Sequence, residues 1–289
     1  MAHNSHRRTF LSPDRTNSYM SERSSQAKIV VDAVGKSYPA DGHRNIVALD
    51  RLSFSVRSGE FLTLLGPNGC GKTTALKIMG GILPVDDGRV LVDGKQVVGP
   101  SFSVALVFQE LSLFTWKTCE ENVEFGLKAR GIAPSARKLR VRKYLELLGL
   151  GSYARMFPAE LSGGIQQRVT LAQTLVLDPD VLLLDEPFRS LDTQTTELME
   201  ELLLKLWQQS TRTVVLVSHS VDEAVFLSDR IIVMTSCPGR IATEVEVGLP
   251  RPRTPDLRVS QEFTELRRTV WNALRSQFES SDNHEGAKP

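Results

Sequence analysis

The sequence predicts an α/β fold with parallel strands at its centre, and three local patterns predict it. The apolar run Phe61-Leu62-Thr63-Leu64-Leu65 leads into Gly66-Pro67-Asn68-Gly69-Cys70-Gly71-Lys72-Thr73, which fits GxxxxGK[ST], and Thr74-Ala75-Leu76-Lys77-Ile78-Met79 follows as a helix. Strand, loop and helix in that order are the setting of a phosphate-binding loop. A second run, Val181-Leu182-Leu183-Leu184, is apolar at every position and ends in Asp185-Glu186. Continuous rather than alternating apolar residues mark a strand covered on both faces, as in a parallel sheet. A third run, Thr213-Val214-Val215-Leu216-Val217, has the same character and stands just before His219.

Each residue type in the loop has a chemical use. The glycines let backbone N–H groups turn inward, Lys72 reaches the β- and γ-phosphates, and the Thr73 hydroxyl can ligate Mg²⁺. Gly66 through Thr73, with Thr74 beside them, are therefore the expected contacts for ATP. The acidic strand end carries Asp185 toward the metal shell and sets Glu186 next to it. There a carboxylate can polarise, or take a proton from, water attacking the γ-phosphate. Mg-ATP is the expected ligand and hydrolysis the expected reaction.

A second anion site is written at Leu161-Ser162-Gly163-Gly164-Ile165-Gln166-Gln167-Arg168, shortly before the acidic strand. Ser162 is expected to cap a helix, with Gly163 and Gly164 exposing N–H groups at its positive end. This octapeptide resembles the signature motif of ABC-type ATPases. The resemblance implies a P-loop fold with a mixed β-sheet core, an antiparallel β-lobe and a helical subdomain. It also implies that two copies pack head to tail with ATP between them, as a homodimer in the ATP-bound state. Further positions match the same pattern. Gln109, after Val104-Ala105-Leu106-Val107-Phe108, matches the glutamine that senses Mg²⁺ and the attacking water. His219 matches the switch histidine on the γ-phosphate, Tyr38 the aromatic residue that stacks on adenine, and Asp192 the residue that links the two sites across the dimer. Metal contacts are thus expected from Thr73, Gln109 and Asp185, and catalytic roles from Glu186, His219 and Gln109.

The wording looks most like the ATPases of importers for nitrate, aliphatic sulfonates and taurine, over residues 28 to 275. Val107-Phe108-Gln109-Glu110, Leu113-Phe114-Thr115-Trp116, Glu121-Asn122-Val123-Glu124-Phe125-Gly126-Leu127 and Cys237-Pro238-Gly239-Arg240-Ile241 carry that likeness. It implies integral membrane permease subunits as partners and, indirectly, a periplasmic or lipoprotein solute-binding protein. It places the chain peripherally on the cytoplasmic face of the inner membrane. Several positions depart from the usual wording: Leu111 and Thr115 replace prolines, Ile165 a glutamine and Gln173 an arginine, while Arg189 stands where glycine is frequent and Ser220 where an acid is common. Two alternatives stay open, a soluble ABC ATPase acting on nucleic acid or ribosomes and the ATPase of an exporter. The first usually has two cassettes, long coiled-coil insertions or zinc modules, and this chain has one cassette and neither extra.

Composition narrows the classes further. At 289 residues the chain can bury a sizeable core, and its net charge of +1 argues against a nucleic-acid binder dominated by phosphate contacts. Cys70, Cys119 and Cys237 are widely separated, with no metal-ligand spacing, and read as free thiols. No run approaches the ~18 apolar residues of a membrane span. Residues 1–27 are polar and read as a disordered extension. Their Arg7-Arg8 pair lacks the apolar stretch that an export signal needs. The expected ATPase domain spans 28–248, with short strands and turns at Asp41-Gly42 and Ser58-Gly59 over 28–65 and a helical subdomain at about 115–165. The basic run Arg137 to Lys143 reads as the solvated face of a helix. A C-terminal extension, 249–289, carries an amphipathic helix at 260–278 with Phe263, Leu266, Val270, Leu274 and Phe278 on one face, then a frayed end.

Overall fold

The structure is a computed structural model that describes residues 27–39, 45–210 and 212–285. The expected extension up to residue 26, the turn at Asp41-Gly42 and the chain beyond 285 lie outside the described residues. The strands are β1 (Ala27–Tyr38), β2 (Ile46–Arg57), β3 (Phe61–Leu65), β4 (Asp87–Val92), β5 (Lys95–Gln96), β6 (Val104–Val107), β7 (Val181–Asp185), β8 (Thr213–Ser218), β9 (Arg230–Met234) and β10 (Ile241–Glu246). The helices are α1 (Lys72–Met79), α2 (Cys119–Ala129), α3 (Pro134–Leu147), α4 (Gly163–Leu175), α5 (Thr193–Gln208), α6 (Val221–Leu227) and α7 (Gln261–Glu285).

Six strands form the central sheet in the order β10-β9-β3-β8-β7-β6, parallel except for the β9–β10 edge. The three apolar runs are β3, β7 and β8, buried at every position. Phe61, Leu65, Leu182, Leu184, Val214 and Leu216 face one core, shared with the helices. Leu62, Leu64, Val181, Leu183, Val215 and Val217 face the other, shared with α1 and the second sheet. Both faces are dry, so the sequence shows no polar alternation. The carboxyl ends of β3, β7 and β8 lie side by side, and each delivers part of one site.

The second sheet is the antiparallel lobe, in the order β2-β1-β4-β5. The expected short strands are two of 12 residues each with shifts in register, the expected turn at Ser58-Gly59 follows β2, and Phe61–Leu65 belongs to the central sheet rather than to this lobe. Bulges let a long strand bend without ending. One network bolts the sheets together. Arg230 on β9 donates from Nε to Glu60 Oε1 at 2.7 Å, from Nη1 to Glu244 Oε2 at 2.8 Å and from Nη2 to the Ser55 carbonyl on β2. Arg230 and Glu60 are both about 2% exposed at the side chain.

The helical subdomain begins with a reciprocal cap. Thr118 Oγ1 accepts from Glu121 N, and Glu121 Oε2 accepts from Thr118 N, which satisfies two N-terminal donors of α2. Asn122 is fully buried and holds the preceding loop through the Phe114 N–H and carbonyl. The basic run lies on α3, where Arg137 pairs with Glu124 at 2.8 Å and Arg142 with Glu146 at 2.8 Å. The helix expected after Ser162 follows as α4, Gly163–Leu175. The C-terminal helix is longer than expected: Gln261–Glu285 includes positions 280–285, which sequence reading left frayed. Phe263, Val270 and Leu274 are buried in the core of the same domain, while Phe278 is exposed.

Candidate functional site

Lys72 and Thr73 begin α1, and the loop before them wraps the end of β3. Gly71 has φ +94°, and a Cβ there would lie 2.7 Å from the Ala48 carbonyl, so only glycine fits this turn. Lys72 Nζ donates to the carbonyls of Gly66 and Pro67, at 2.7 and 2.9 Å. The lysine thus closes its own loop, with its ammonium held against the loop's carbonyls. The Cys70 side chain is buried, with Sγ on the Lys72 side, and burial pushes its thiol up. Cys70 can therefore offer a ligand its backbone, not its sulfur.

Thr73 Oγ1 donates to Asp185 Oδ1 at 2.9 Å. Asp185 is 3% exposed. Burial pushes its carboxyl above the usual value against the pull of the Thr73 bond, and the charge of neighbouring Glu186 pushes the same way. A buried hydroxyl–carboxylate pair is a hard-oxygen donor set, and it fits Mg²⁺, which takes few protein ligands beside phosphate and water. Among the described residues no group of three or more His, Cys, Asp or Glu side chains gathers as a metal cage.

Glu186 follows with φ +44°, a left-handed conformation that costs a non-glycine residue of order 1–3 kcal/mol. Its N–H donates to the Val217 carbonyl at 3.0 Å, so β8 holds the strained residue in place. Its Oε2 accepts from Arg189 Nη1 at 3.2 Å and lies 3.3 Å from His219 Nδ1. Carboxylate and imidazole come from the ends of two adjacent strands. Glu186 faces a cleft of about 490 Å³ lined also by Tyr38, Asn68, Gly69, Gly71, Lys72, Thr73, Thr74, Gln109 and Arg189, whereas His219 does not line it and opens on a neighbouring depression beside Ser220, Asp222 and Trp271. Tyr38 OH lies 3.2 Å from Thr74 Oγ1 at the outer wall of the cleft. Sequence reading missed Ile46, Ala48 and Cys237 in this lining, since no motif marks them, and noted Arg189 only as a departure.

Ser162, Gly163, Gly164 and Asp192 do not line that cleft. Ser162 occupies the N-cap position of α4, but its side chain makes no cap bond, contrary to expectation. Its carbonyl takes the Gln166 N–H instead, and the hydroxyl is left for another partner. Gly164 passes so close to α5 that a Cβ would lie 2.7 Å from Thr195 Cγ2. Asp192 caps α5, accepting from Thr195 N at 3.0 Å and Thr195 Oγ1 at 2.6 Å. These bonds hold its carboxyl below the usual range.

A phosphate loop, a buried Thr–Asp pair and a strained glutamate at the ends of three parallel strands define a P-loop nucleotide triphosphate hydrolase. Comparison with known proteins makes the class specific. Residues 49–189 match the ABC transporter family model. The chain is 44% identical to an uncharacterized ABC transporter ATP-binding protein of Methanocaldococcus jannaschii, over 87% of this chain and 93% of that one. It is 38% identical to an aliphatic sulfonates import ATP-binding protein of Bacillus cereus, covering 84% and 94%. It is 40% identical to a taurine import ATP-binding protein of Rhizobium johnstonii, covering 85% and 96%. A solved ATP-binding cassette, dimeric and bound to ADP and phosphate, superposes with a TM-score of 0.69 at 30% identity, covering 77% of this chain and all of that one. The chain belongs to the ABC transporter family, as an ATP-binding and ATP-hydrolysing cassette.

Proposed function

We propose that this cassette powers uptake of a small anionic or zwitterionic solute, of the sulfonate or taurine class, through separate membrane subunits. The observation that carries the reading is an aromatic groove outside the nucleotide cleft. Between β6 and the helical subdomain lies a depression of about 390 Å³ lined by Phe102, Phe108, Phe114, Phe125, Gln173 and neighbours. Phe102, Phe108 and Phe125 are exposed, as is Trp116 beside them. Large aromatics left in solvent on one face mark a docking site. A short helix from a permease subunit fits it, and Gln109 stands where the groove's loop meets the nucleotide cleft. No described helix is long and apolar enough to cross a membrane, so the pore belongs to other chains. The relatives named for sulfonate and taurine import support the direction of transport. In that setting the cassette sits on the cytoplasmic face, and a solute-binding protein on the far side selects the cargo.

Lys72 and the loop amides hold the ATP phosphates, and Tyr38 faces the adenine. Thr73, Asp185 and Gln109 are the residues that would hold Mg²⁺, which would supply charge neutralisation at the phosphates. Ser162, Gly163 and Gly164 of a second copy close over the γ-phosphate. Glu186 takes the proton of the attacking water, His219 holds water and γ-phosphate in register, and ADP and phosphate leave. Loss of the shared anion reopens the dimer, and the groove passes that motion to the permease. Lys72→Ala is expected to weaken ATP binding about 10- to 100-fold, the ~1.5–3 kcal/mol of a charge-assisted hydrogen bond. Titration with a fluorescent ATP analogue checks this, and unchanged affinity contradicts it. The transport reading is tested by extracting membranes of the native cell with the chain tagged. A polytopic membrane protein should co-purify, and Phe125→Asp should release it. Recovery with ribosomes or DNA alone overturns the reading.

A further inference from the structure

The His219 side chain is about half exposed and its Nδ1 lies against Glu186, so little grips the imidazole itself. What is gripped is the turn beneath it. Ser218, at the end of β8, is 1% exposed, and its Oγ accepts from Ser220 N at 2.9 Å. That N–H can only donate. The one hydroxyl proton therefore goes to the carboxylate of Glu223, whose Oε2 lies 2.6 Å away. Glu223 returns the contact, because its own N–H donates to Ser220 Oγ at 3.3 Å, capping α6. Three bonds close a ring around residues 218, 220 and 223, and His219 rides on the corner. Ser220, where an acid is common, supplies the cap hydroxyl in this chain.

Glu223 has no place in the nucleotide cleft. Burial pushes its carboxyl up, while the Ser218 bond and nearby His219 pull it back. A half-buried carboxylate aimed at one buried hydroxyl is costly unless the hydrogen bond matters to something. We infer that Glu223 is a positioning residue for ATP hydrolysis, holding Ser218 and through it the turn that presents His219 to the γ-phosphate. The inference rests on the role given to His219 above. Glu223 lies outside the lining of the nucleotide cleft, so it acts on the rate of the chemical step and leaves ATP binding alone.

The test is steady-state ATP hydrolysis by the full chain and five variants: Glu223→Ala, Glu223→Gln, Ser218→Ala, the Ser218→Ala/Glu223→Ala double variant and His219→Ala. Glu223→Ala is expected to lower kcat about tenfold or more with KM within about twofold, the pattern of an interaction felt only in the transition state. Glu223→Gln keeps an acceptor for the Ser218 hydroxyl and should restore most of kcat. Ser218→Ala should match Glu223→Ala, and the double variant should be no slower than either, since both cut one link. Parental kcat in Glu223→Ala, a KM change as large as the kcat change, no rescue by Gln, or additive losses in the double variant each overturn the proposal. Should Glu223→Ala not fold, Ser218→Ala, a single-atom deletion, decides by the same criterion. Parental kcat in His219→Ala would instead sink the role of His219. Loss there with no loss at Glu223 and Ser218 sinks the positioning role alone.

Discussion

Glu186→Gln is expected to bind ATP like the parent chain and to turn it over about 10²- to 10⁴-fold more slowly, the range a general base contributes. The amide is isosteric and still accepts from Arg189, so the left-handed turn at φ +44° and its bond to the Val217 carbonyl should persist. What is lost is the site that takes the proton. Because ATP remains, the closed dimer should accumulate instead of reopening. Single-turnover hydrolysis and nucleotide-binding titration, run side by side, separate the two steps. Parental turnover would remove Glu186 from the mechanism, and loss of ATP affinity would make its role structural.

Arg230→Ala is expected to destabilise the fold by about 3–5 kcal/mol, since it removes the buried counter-charge of Glu60 and leaves only the half-exposed Arg57 beside that carboxylate. Against a total of ~5–15 kcal/mol, that is about a fifth or more of the stability. The sign of the pH response distinguishes this cause from simple loss of packing. In the intact chain, burial alone would raise the Glu60 carboxyl, but its bonds to Arg230 and Arg57 outweigh burial and hold it below the ordinary 4.5. A depressed carboxylate stabilises the fold above that ordinary value, and the contribution is lost as pH falls through the folded value. Without Arg230 the burial effect dominates and the Glu60 carboxyl rises. The deficit should then shrink on mild acidification. Denaturant melts at neutral and mildly acidic pH check both parts. A deficit that is small or independent of pH contradicts the assignment.

The parts of this molecule written in short contiguous words were legible in the sequence. The phosphate loop, the Asp185-Glu186 strand end and the three fully buried strands each rest on local chemistry: glycine conformations, or dryness on both faces of a sheet. The folding of α7 back on its own domain was legible for the same reason, from the spacing of Phe263, Val270 and Leu274. Features made by distant residues were not. Glu60, Arg230 and Glu244 have no common word, and they meet only because β9 lies between β3 and β10. Arg189 read as a departure from wording, and only the turn after β7 shows its guanidinium on the Glu186 carboxylate. Ile46 and Cys237 reach the nucleotide cleft from opposite ends of the chain. At Ser162 and Asp192 local reasoning and structure diverge. A cap position predicts a cap bond, yet Asp192 makes one and Ser162 does not. A carboxylate at a helix start gains from the dipole and from two donors of Thr195, while the Ser162 hydroxyl makes no cap bond, which suits the role proposed for it across a dimer.

The central claim is that each ATP site is completed by a second copy of this chain, and the mass of the protein in solution tests it most directly. Multi-angle light scattering on Glu186→Gln should give the 32.1 kDa monomer without nucleotide and twice that mass with Mg-ATP. Adding Ser162→Arg should return the ATP-bound sample to the monomer mass while ATP still binds at Lys72. A monomer that stays monomeric with saturating Mg-ATP, or a dimer indifferent to Ser162→Arg, would contradict the account.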